Sequence, residues 1–199
     1  MKLTLIRHGL TEGNIRRLYY GAMDLPLLPD GIEALHALRD GGGYPEAEQY
    51  FTSGMTRTEQ TFAALYGDRP HGTLPGMQEM RFGEFEGKTY ADLKDDPAFR
   101  AWCSGDYENN VCPGGESWNG LTDRALQALA PILAQGKDTV IVAHGGTQMA
   151  ALSRFAEPHR DYYSWNAPPA GGFVLSADEW RARRALRVIK TVGYAEERT

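Results

Sequence analysis

Two apolar segments far apart in this chain both end in the dipeptide His-Gly. The first segment, residues 2–6, is followed by Arg7 and His8, and the second, residues 139–143, is followed by His144. Short apolar runs of this kind predict buried strands, and open α/β folds bind their ligands at the carboxyl ends of such strands. The two junctions therefore predict that both histidines lie at a ligand-binding edge of one sheet.

The side chains at the first junction suit chemistry on an anion. Arg7 offers a rigid fork of donors that matches phosphate, and His8 is neutral and nucleophilic near pH 7. Gly9 lets the backbone approach another group closely. We expect a backbone carbonyl to accept from Nδ1 of His8, and we expect neighbouring cations to lower its pKa below the unperturbed value of about 6.5.

The remainder of the chain alternates predicted helices and strands without a linker, so residues 1–199 are expected to form one α/β domain. A short helical turn is predicted at 14–18, longer helices at 30–40, 57–66, 117–133 and 147–155, and further strands at 49–53, 171–176 and 185–192. The last two strands are expected to pair antiparallel. The exposed edge of that hairpin offers a place for a homodimer to form.

Composition restricts the partners of this chain. It has 199 residues and a net charge of −5, which does not favour binding to nucleic acid or to an anionic membrane. No run approaches the roughly 18 apolar residues of a membrane span, and the apolar start is too short for a signal peptide, so we expect a cytoplasmic protein. Cys103 and Cys112 lack metal-ligand spacing and are expected to be reduced, although a disulfide stays open.

Four motifs together resemble those of the histidine phosphatase superfamily, whose fold is phosphoglycerate-mutase-like. They are Arg-His-Gly-x-Thr-x-x-Asn at 7–14, Ser-x-x-x-Arg at 53–57, Glu-x-x-x-Gly at 79–83 and the late strand-His-Gly at 139–145. The resemblance extends over nearly the whole chain. It implies a three-layer α/β/α sandwich with a mostly parallel central sheet.

The same resemblance implies a role for each motif residue. His8 is expected to be the nucleophile, and Glu79 the general acid that later deprotonates the attacking water. The expected phosphate clamp consists of Arg7, Arg57 and His144. Further substrate-binding residues are expected to be Asn14, Gly21 and Gly145.

These residue types are also what phosphoryl transfer requires. The reaction needs stabilisation of charge on the equatorial oxygens, an in-line nucleophile and a proton for the leaving oxygen. A histidine nucleophile forms a phosphohistidine and divides one hard step into two easier ones. Because guanidinium groups take over the charge stabilisation that a metal ion gives elsewhere, no metal and no cofactor is expected.

The first interpretation is a metal-independent phosphatase that hydrolyses phosphomonoesters of small metabolites through a phosphohistidine. The alternative is transfer of the phosphoglycerate-mutase type. The chain is short for that alternative, because mutases resembling the glycolytic enzymes usually carry a longer insertion and tail. A third interpretation is a non-catalytic module that binds a phosphorylated ligand, but such a module needs neither a nucleophile nor an acid.

Three stretches are candidates for the mouth of the site. Residues 84–115 are predicted to contain short helices followed by a loop and to lie over the substrate. Arg16 and Arg17 either meet a second anionic group of the substrate or form a solvated pair. Trp165 and Asn166 follow the second His-Gly helix, although a core or rim position is the simpler interpretation of the tryptophan.

Overall fold

A seven-stranded sheet lies at the centre of the protein, for which the computed structural model describes residues 1–106 and 108–194. The strands of that part of the chain are β1 (Lys2–Arg7), β2 (Leu18–Tyr19), β3 (Gln49–Thr52), β4 (Gly72–Thr73), β5 (Lys88–Thr89), β6 (Thr139–Ala143), β7 (Ala156–Glu157), β8 (Gly172–Ser176) and β9 (Leu186–Val192). Its α-helices are α1 (Glu12–Arg16), α2 (Pro29–Asp40), α3 (Thr56–Tyr66), α4 (Tyr90–Leu93), α5 (Pro97–Trp102), α6 (Trp118–Gln135), α7 (Gly145–Phe155) and α8 (Trp180–Arg183). Short 3₁₀ turns cover Pro75–Met77, Gly83–Phe85 and Tyr162–Trp165.

The central sheet has the strand order β4-β3-β6-β1-β8-β9-β7. β1 pairs in parallel with β6, and β3 pairs in parallel with both β6 and β4. β8 is antiparallel to its neighbours β1 and β9, whereas β7 is parallel to β9. The sheet is therefore mostly parallel, as predicted. β2 and β5 form a separate antiparallel ribbon.

Helices cover both faces of the sheet. Alternate residues of a strand point to opposite sides, and the apolar side chains on each side pack against helices. In β1, Leu3 and Leu5 belong to the core cluster that contains Leu129 of α6. Ile6, on the other face, belongs to the cluster that contains Phe62 of α3. This arrangement confirms the three-layer α/β/α sandwich.

Aromatic side chains from the segment 84–115 pack as a small cluster beside the sheet. Phe85, Phe99 and Trp102 are buried there together with Cys112. The rings of Phe85 and Phe99 meet edge to face with centroids 5.4 Å apart. Residue 107 of this segment and residues 195–199 of the predicted single domain lie outside the described residues.

Three local predictions differ from the structure. The first short helix begins at Glu12, because the hydroxyl of Thr11 accepts from the backbone N–H of Asn14 and caps it. Helix α7 begins at Gly145 instead of residue 147. The C-terminal hairpin keeps only part of its exposed edge, since β7 pairs with the first two residues of β9, and the homodimer expected at that edge stays a prediction.

No helix of residues 1–106 and 108–194 is long and apolar enough to cross a membrane. Cys103 and Cys112 are free thiols, the first exposed and the second buried. Burial raises the pKa of Cys112 to about 12, so this thiol stays protonated near neutral pH.

Candidate active site

Three neighbouring strands bring the motif residues together at their carboxyl ends. His8 follows β1, Ser53 follows β3 and His144 follows β6, and these strands are adjacent in the order β3-β6-β1. The rings of His8 and His144 meet edge to face with centroids 5.3 Å apart. The structure therefore places the two histidines of the sequence motifs in one site.

The ring of His8 is fixed through one nitrogen. Nδ1 lies 2.7 Å from the carbonyl oxygen of Gly9, so Nδ1–H donates to that carbonyl and Nε2 keeps the free lone pair. The residue is only 2% exposed. Burial lowers the pKa of His8 well below its ordinary value, and the charges of Arg57 and Arg7 lower it further. The direction is the predicted one, but burial outweighs the cations as its cause.

Arg7 is anchored at one end of its guanidinium group and open at the other. Nη1 donates to Oδ1 of Asn166 at 3.1 Å and to the carbonyl of Ala167 at 2.7 Å. Nε is buried and has no hydrogen-bond partner within the described residues. A buried donor without a partner costs free energy, so a ligand oxygen at Nε would stabilise the site. Gly145 lies against this group, and a Cβ there would be in ordinary van der Waals contact with Nε of Arg7 at 3.4 Å.

Arg57 is fully buried, with 0% of the residue exposed. Its Nη1 and Nη2 donate to the carbonyls of Met23 and Gly21, each at 3.0 Å. Nε donates to Nδ1 of His144 at 3.3 Å, and the guanidinium carbon lies 5.1 Å from the centre of the Tyr20 ring. Nη1 also lies 3.6 Å from Oδ1 of Asp24 in an ion pair. A guanidinium group carries five N–H donors, so these contacts still leave donors for a phosphate.

His144 is held between two residues of the Ser-x-x-x-Arg motif. Nδ1 accepts from Arg57, so Nε2 carries the proton and donates to Oγ of Ser53 at 2.8 Å. Burial, followed by the charges of Arg57 and His8, lowers the pKa of His144 well below its ordinary value. Both ring nitrogens thus have protein partners, and the contact of His144 with phosphate stays a prediction.

Glu79 meets the amino-terminal end of α7. Its Oε2 accepts from the N–H of Gly146 at 3.0 Å, and its Oε1 accepts from the N–H of Met80 at 2.9 Å. A Cβ at residue 146 would collide with this carboxyl group, so the second glycine of His-Gly-Gly makes room for it. These contacts hold the carboxyl group at the cavity that Arg7 also lines.

Asn14 lines the same cavity. Its Oδ1 accepts from the backbone N–H of Thr11 at 3.0 Å and from the hydroxyl of Thr11 at 2.9 Å. With Oδ1 engaged, the amide NH₂ is the group that Asn14 offers to a ligand. The position therefore suits the predicted donation to a phosphate oxygen.

Gly21 has contacts that do not match a substrate-binding role. Its N–H donates to Oε2 of Glu86 at 2.9 Å, and its carbonyl accepts from Arg57. A side chain at this position would collide with the carbonyl of Met80. Because both backbone groups have protein partners, Gly21 positions Arg57 in this conformation and has no N–H left for a ligand.

Glu86 was not identified from the sequence, although it organises the loop that holds Arg57. Its carboxylate accepts from the backbone N–H groups of Gly21, Ala22 and Met23 at distances of 2.9 to 3.2 Å. The carbonyls of Gly21 and Met23 in turn accept from Arg57. Apart from the N–H of Phe82, which donates to Oε1 at 3.0 Å, the main-chain partners of Glu86 are far away in the sequence, so no motif marks it.

Arg124 was also missed, and it supports the backbone around Glu79. It donates to the carbonyls of Gln78 and Glu79 at 2.6 and 2.8 Å. Nη2 of the same guanidinium group lies 2.7 Å from Oε1 of the buried Glu116. The only sequence signal is a charged residue on a predicted helix, which is equally typical of a solvated face.

Two adjoining cavities lie at the site. The smaller, of about 280 Å³, is lined by Arg7, Gly13, Asn14, Arg17, Leu18, Tyr19, Tyr20, Glu79 and Phe82. The larger, of about 550 Å³, shares Tyr19 and Phe82 and is otherwise lined by Trp102, Cys103, Trp118 and Tyr163. Trp102 and Cys103 belong to residues 84–115, so this segment forms part of the wall next to the site.

Guanidinium groups supply the positive charge in this site. Arg7 and Arg57 both lie close enough to His8 to lower its pKa. In residues 1–106 and 108–194, no group of three or more His, Cys, Asp or Glu side chains is arranged to hold a metal ion. Arg7 and Arg57 are therefore the cations placed to meet negative charge beside His8.

The comparison with known sequences gives the family. The profile of the histidine phosphatase superfamily (branch 1) matches residues 3–188. The chain belongs to this superfamily. The match covers His8, Arg57, Glu79 and His144, and thereby confirms the family that the four motifs indicated.

Relatives within the superfamily include phosphatases and mutases. The adenosylcobalamin/alpha-ribazole phosphatase of Escherichia coli (strain K12) is 30% identical over 163 residues, which cover 77% of this chain and 78% of that protein. The 2,3-bisphosphoglycerate-dependent phosphoglycerate mutase of Xanthobacter autotrophicus is 29% identical over 168 residues, which cover 75% of this chain and 78% of that protein. Sequence identity alone thus does not separate the two activities.

Solved structures share the fold over almost their whole length. The phosphoglycerate mutase from Thermus thermophilus has a TM-score of 0.75 and 26% identity, with 98% of this chain and 100% of that chain covered. The alpha-ribazole phosphatase from Shigella flexneri has a TM-score of 0.81 and 24% identity, with 98% and 96% covered. Because this chain covers the whole of a structure named as a mutase, chain length does not argue against mutase activity.

Proposed function

We propose that this protein is a metal-independent phosphatase that hydrolyses phosphomonoesters of small metabolites through a phosphohistidine at Nε2 of His8. The observation that carries the proposal is the orientation of His8. Its Nδ1 is tied to the carbonyl of Gly9, its ring is buried and its pKa is lowered, so a neutral Nε2 is available to attack phosphorus.

In the first step, the lone pair on Nε2 of His8 forms a bond to phosphorus and the bond from phosphorus to the leaving oxygen breaks. Nε of Arg7 and the free N–H groups of Arg57 stabilise the charge on the equatorial oxygens. Glu79, in its protonated form, gives its proton to the leaving oxygen. The product alcohol leaves and the phosphoryl group stays on His8.

In the second step, a water molecule attacks the phosphorus of phospho-His8. The carboxylate of Glu79 takes a proton from this water, and the bond between Nε2 and phosphorus breaks. Inorganic phosphate, which now contains the oxygen of the attacking water, leaves the site. His8 returns to its neutral form, and Glu79 is again protonated for the next turnover.

The access of water favours hydrolysis over transfer to a second substrate. A mutase must keep water away from its phosphohistidine until the acceptor binds. Here a cavity of about 550 Å³ adjoins the site, whereas a water molecule occupies only about 30 Å³. The names of the relatives support both activities. The experiment therefore has to identify whether water or a second substrate accepts the phosphoryl group.

The proposal is tested by measuring release of inorganic phosphate from a panel of phosphorylated metabolites in the presence of EDTA. We expect turnover by the wild type that survives EDTA and falls by at least about 10³-fold in His8→Ala. Acid-quenched labelling should find the phosphoryl group on a histidine in the wild type only. Turnover that requires a metal, or that survives His8→Ala, would refute the mechanism.

Mutase activity has a separate signature in the same assay. A mutase would isomerise phosphoglycerate faster than it releases phosphate, and it would depend on a bisphosphoglycerate. A protein that binds phosphate without turnover or labelling would instead be a binding module.

A further inference from the structure

The backbone of Arg17 has a conformation that is unusual for an arginine. It follows α1 with φ 55° and ψ 44°, in the left-handed region that favours glycine. Its N–H donates to the carbonyl of Asn14 at 3.2 Å, which ends the helix. A residue with a Cβ is strained in this conformation and glycine is not. Arginine therefore occupies a position where glycine would have less backbone strain.

The side chain of Arg17 lines the cavity of about 280 Å³ that Arg7, Asn14 and Glu79 also line. Within the described residues, no hydrogen bond or ion pair engages its guanidinium group. The neighbouring Arg16 differs, since its Nη1 pairs with Oε1 of Glu12 at 3.1 Å. The structure thus separates the two arginines that the sequence left equivalent.

Burial distinguishes the place of Arg17 from that of the phosphoryl group. The phosphoryl group would lie on His8, which is 2% exposed, against the buried Nε of Arg7. Arg17 is exposed and stands on the outer wall of the cavity. An anion that meets Arg17 therefore lies farther out than the group being transferred, on the part of the substrate that leaves.

The backbone holds Arg17 in place on both sides. The end of α1 precedes it, and Leu18 directly after it pairs with Thr89 in the ribbon of β2 and β5. A cation on a fixed backbone loses less entropy on binding than one on a mobile loop. A guanidinium fork also matches the two oxygens of a carboxylate or a phosphate.

We propose that Arg17 determines specificity by binding a second anionic group, a carboxylate or a second phosphate, on the leaving part of the substrate. This inference rests on the proposed phosphatase function. It adds that the preferred phosphomonoesters carry a further negative charge beyond the ester.

The test uses two substrates that differ only in this charge. 3-Hydroxypropyl phosphate carries a hydroxymethyl group where 3-phosphooxypropanoate carries a carboxylate. We expect the wild type to prefer the carboxylate compound. In Arg17→Gln and Arg17→Gly, kcat/KM for that compound should fall about tenfold, mainly through KM, while the uncharged compound changes less than about twofold.

Two features make the variants informative. Arg17→Gly is compatible with the left-handed backbone, so we expect it to fold as the wild type does, which denaturant unfolding checks. Arg16→Gln is the matched control, because it removes the same charge from the adjacent position. It should leave kcat/KM unchanged for both substrates. In the wild type, the preference for the carboxylate compound should also weaken as salt is added.

Equal losses on both substrates would overturn the inference, since Arg17 would then act on the phosphoryl group or on the site as a whole. Unchanged kinetics in both Arg17 variants would overturn it as well. Binding of the two compounds is measured in parallel by titration calorimetry. If the carboxylate compound binds more tightly, and this preference needs Arg17, but neither compound is hydrolysed, the second-anion site is supported and the phosphatase function is refuted. If both compounds are hydrolysed without any preference, the phosphatase function is supported and the second-anion site is refuted.

Discussion

Glu79 illustrates how one residue can serve both steps of the proposed reaction. Its two oxygens are held by the N–H groups of Gly146 and Met80. In Glu79→Gln, hydrolysis of an alkyl phosphate should fall by about 10²- to 10⁴-fold, because the leaving alkoxide lacks its proton. With 4-nitrophenyl phosphate, whose phenolate leaves without a proton, stopped-flow measurement should show a burst of phenolate followed by slow turnover.

The burst has a specific meaning. It arises when phosphorylation of His8 is fast and hydrolysis of phospho-His8 is slow, because no carboxylate is present to activate water. Glu84, an exposed carboxylate in the same stretch, provides the control, and Glu84→Gln should behave as the wild type. Full alkyl-phosphate turnover by Glu79→Gln would assign the acid role to another residue.

The sequence predicts residues whose spacing is set by the chemistry and misses those that only support it. His8 and Arg57 belong to motifs that follow strands, and Glu79 belongs to a motif with a fixed spacing to Gly83, so all three can be found without coordinates. Asn166 was only weakly indicated, although its Oδ1 accepts from Nη1 of Arg7. Arg124 has main-chain partners, and neither its spacing nor its residue type differs from that of a solvated arginine.

The conformation of the loop of residues 21–23 depends on the carboxylate of Glu86. Glu86 accepts from three consecutive backbone N–H groups of this loop, and the loop carbonyls hold Arg57. In Glu86→Gln, the amide NH₂ would face one of those N–H donors and the charge would be lost. We expect the free energy of unfolding to fall by about 1–3 kcal/mol. We also expect KM to rise severalfold, because Arg57 loses its fixed position.

Denaturant unfolding and steady-state kinetics measure the two effects. Glu84→Gln, which removes an exposed carboxylate two residues away, should change neither. A Glu86→Gln variant with wild-type KM would show that Arg57 keeps its position without this loop.

Prediction of the elements succeeded where a long apolar pattern exists. The runs that form β1, β6 and β8 are buried throughout or nearly so, and each was located to within about one residue. The ribbon of β2 and β5 was missed, because two residues of pairing carry no periodicity. Pairing of β7 with β9 was missed for the same reason, and this changed which strand lies at the edge of the sheet.

For the whole molecule, the two buried histidines link stability to pH. Burial is the main cause that lowers the pKa of His8 and of His144 below the value of about 6.5 that each has when unfolded. Below about pH 6.5 the unfolded chain therefore binds protons that the folded protein does not. The free energy of unfolding should fall as pH drops below about 6.5, with a slope that approaches about 1.4 kcal/mol per pH unit for each histidine once the unfolded histidine is fully protonated.

The contribution of one histidine is obtained from a difference of slopes between about pH 6.5 and 5.5, measured by denaturant unfolding. His8→Gln should reduce the slope by about 1 kcal/mol per pH unit relative to the wild type, because an unfolded histidine is about half protonated at pH 6.5 and about nine-tenths protonated at pH 5.5. Equal slopes in the two proteins would mean that His8 takes up a proton in the folded state, and a nucleophile protonated in this range could not attack phosphorus. The stability measurement therefore tests, without any substrate, the protonation state on which the proposed catalysis depends.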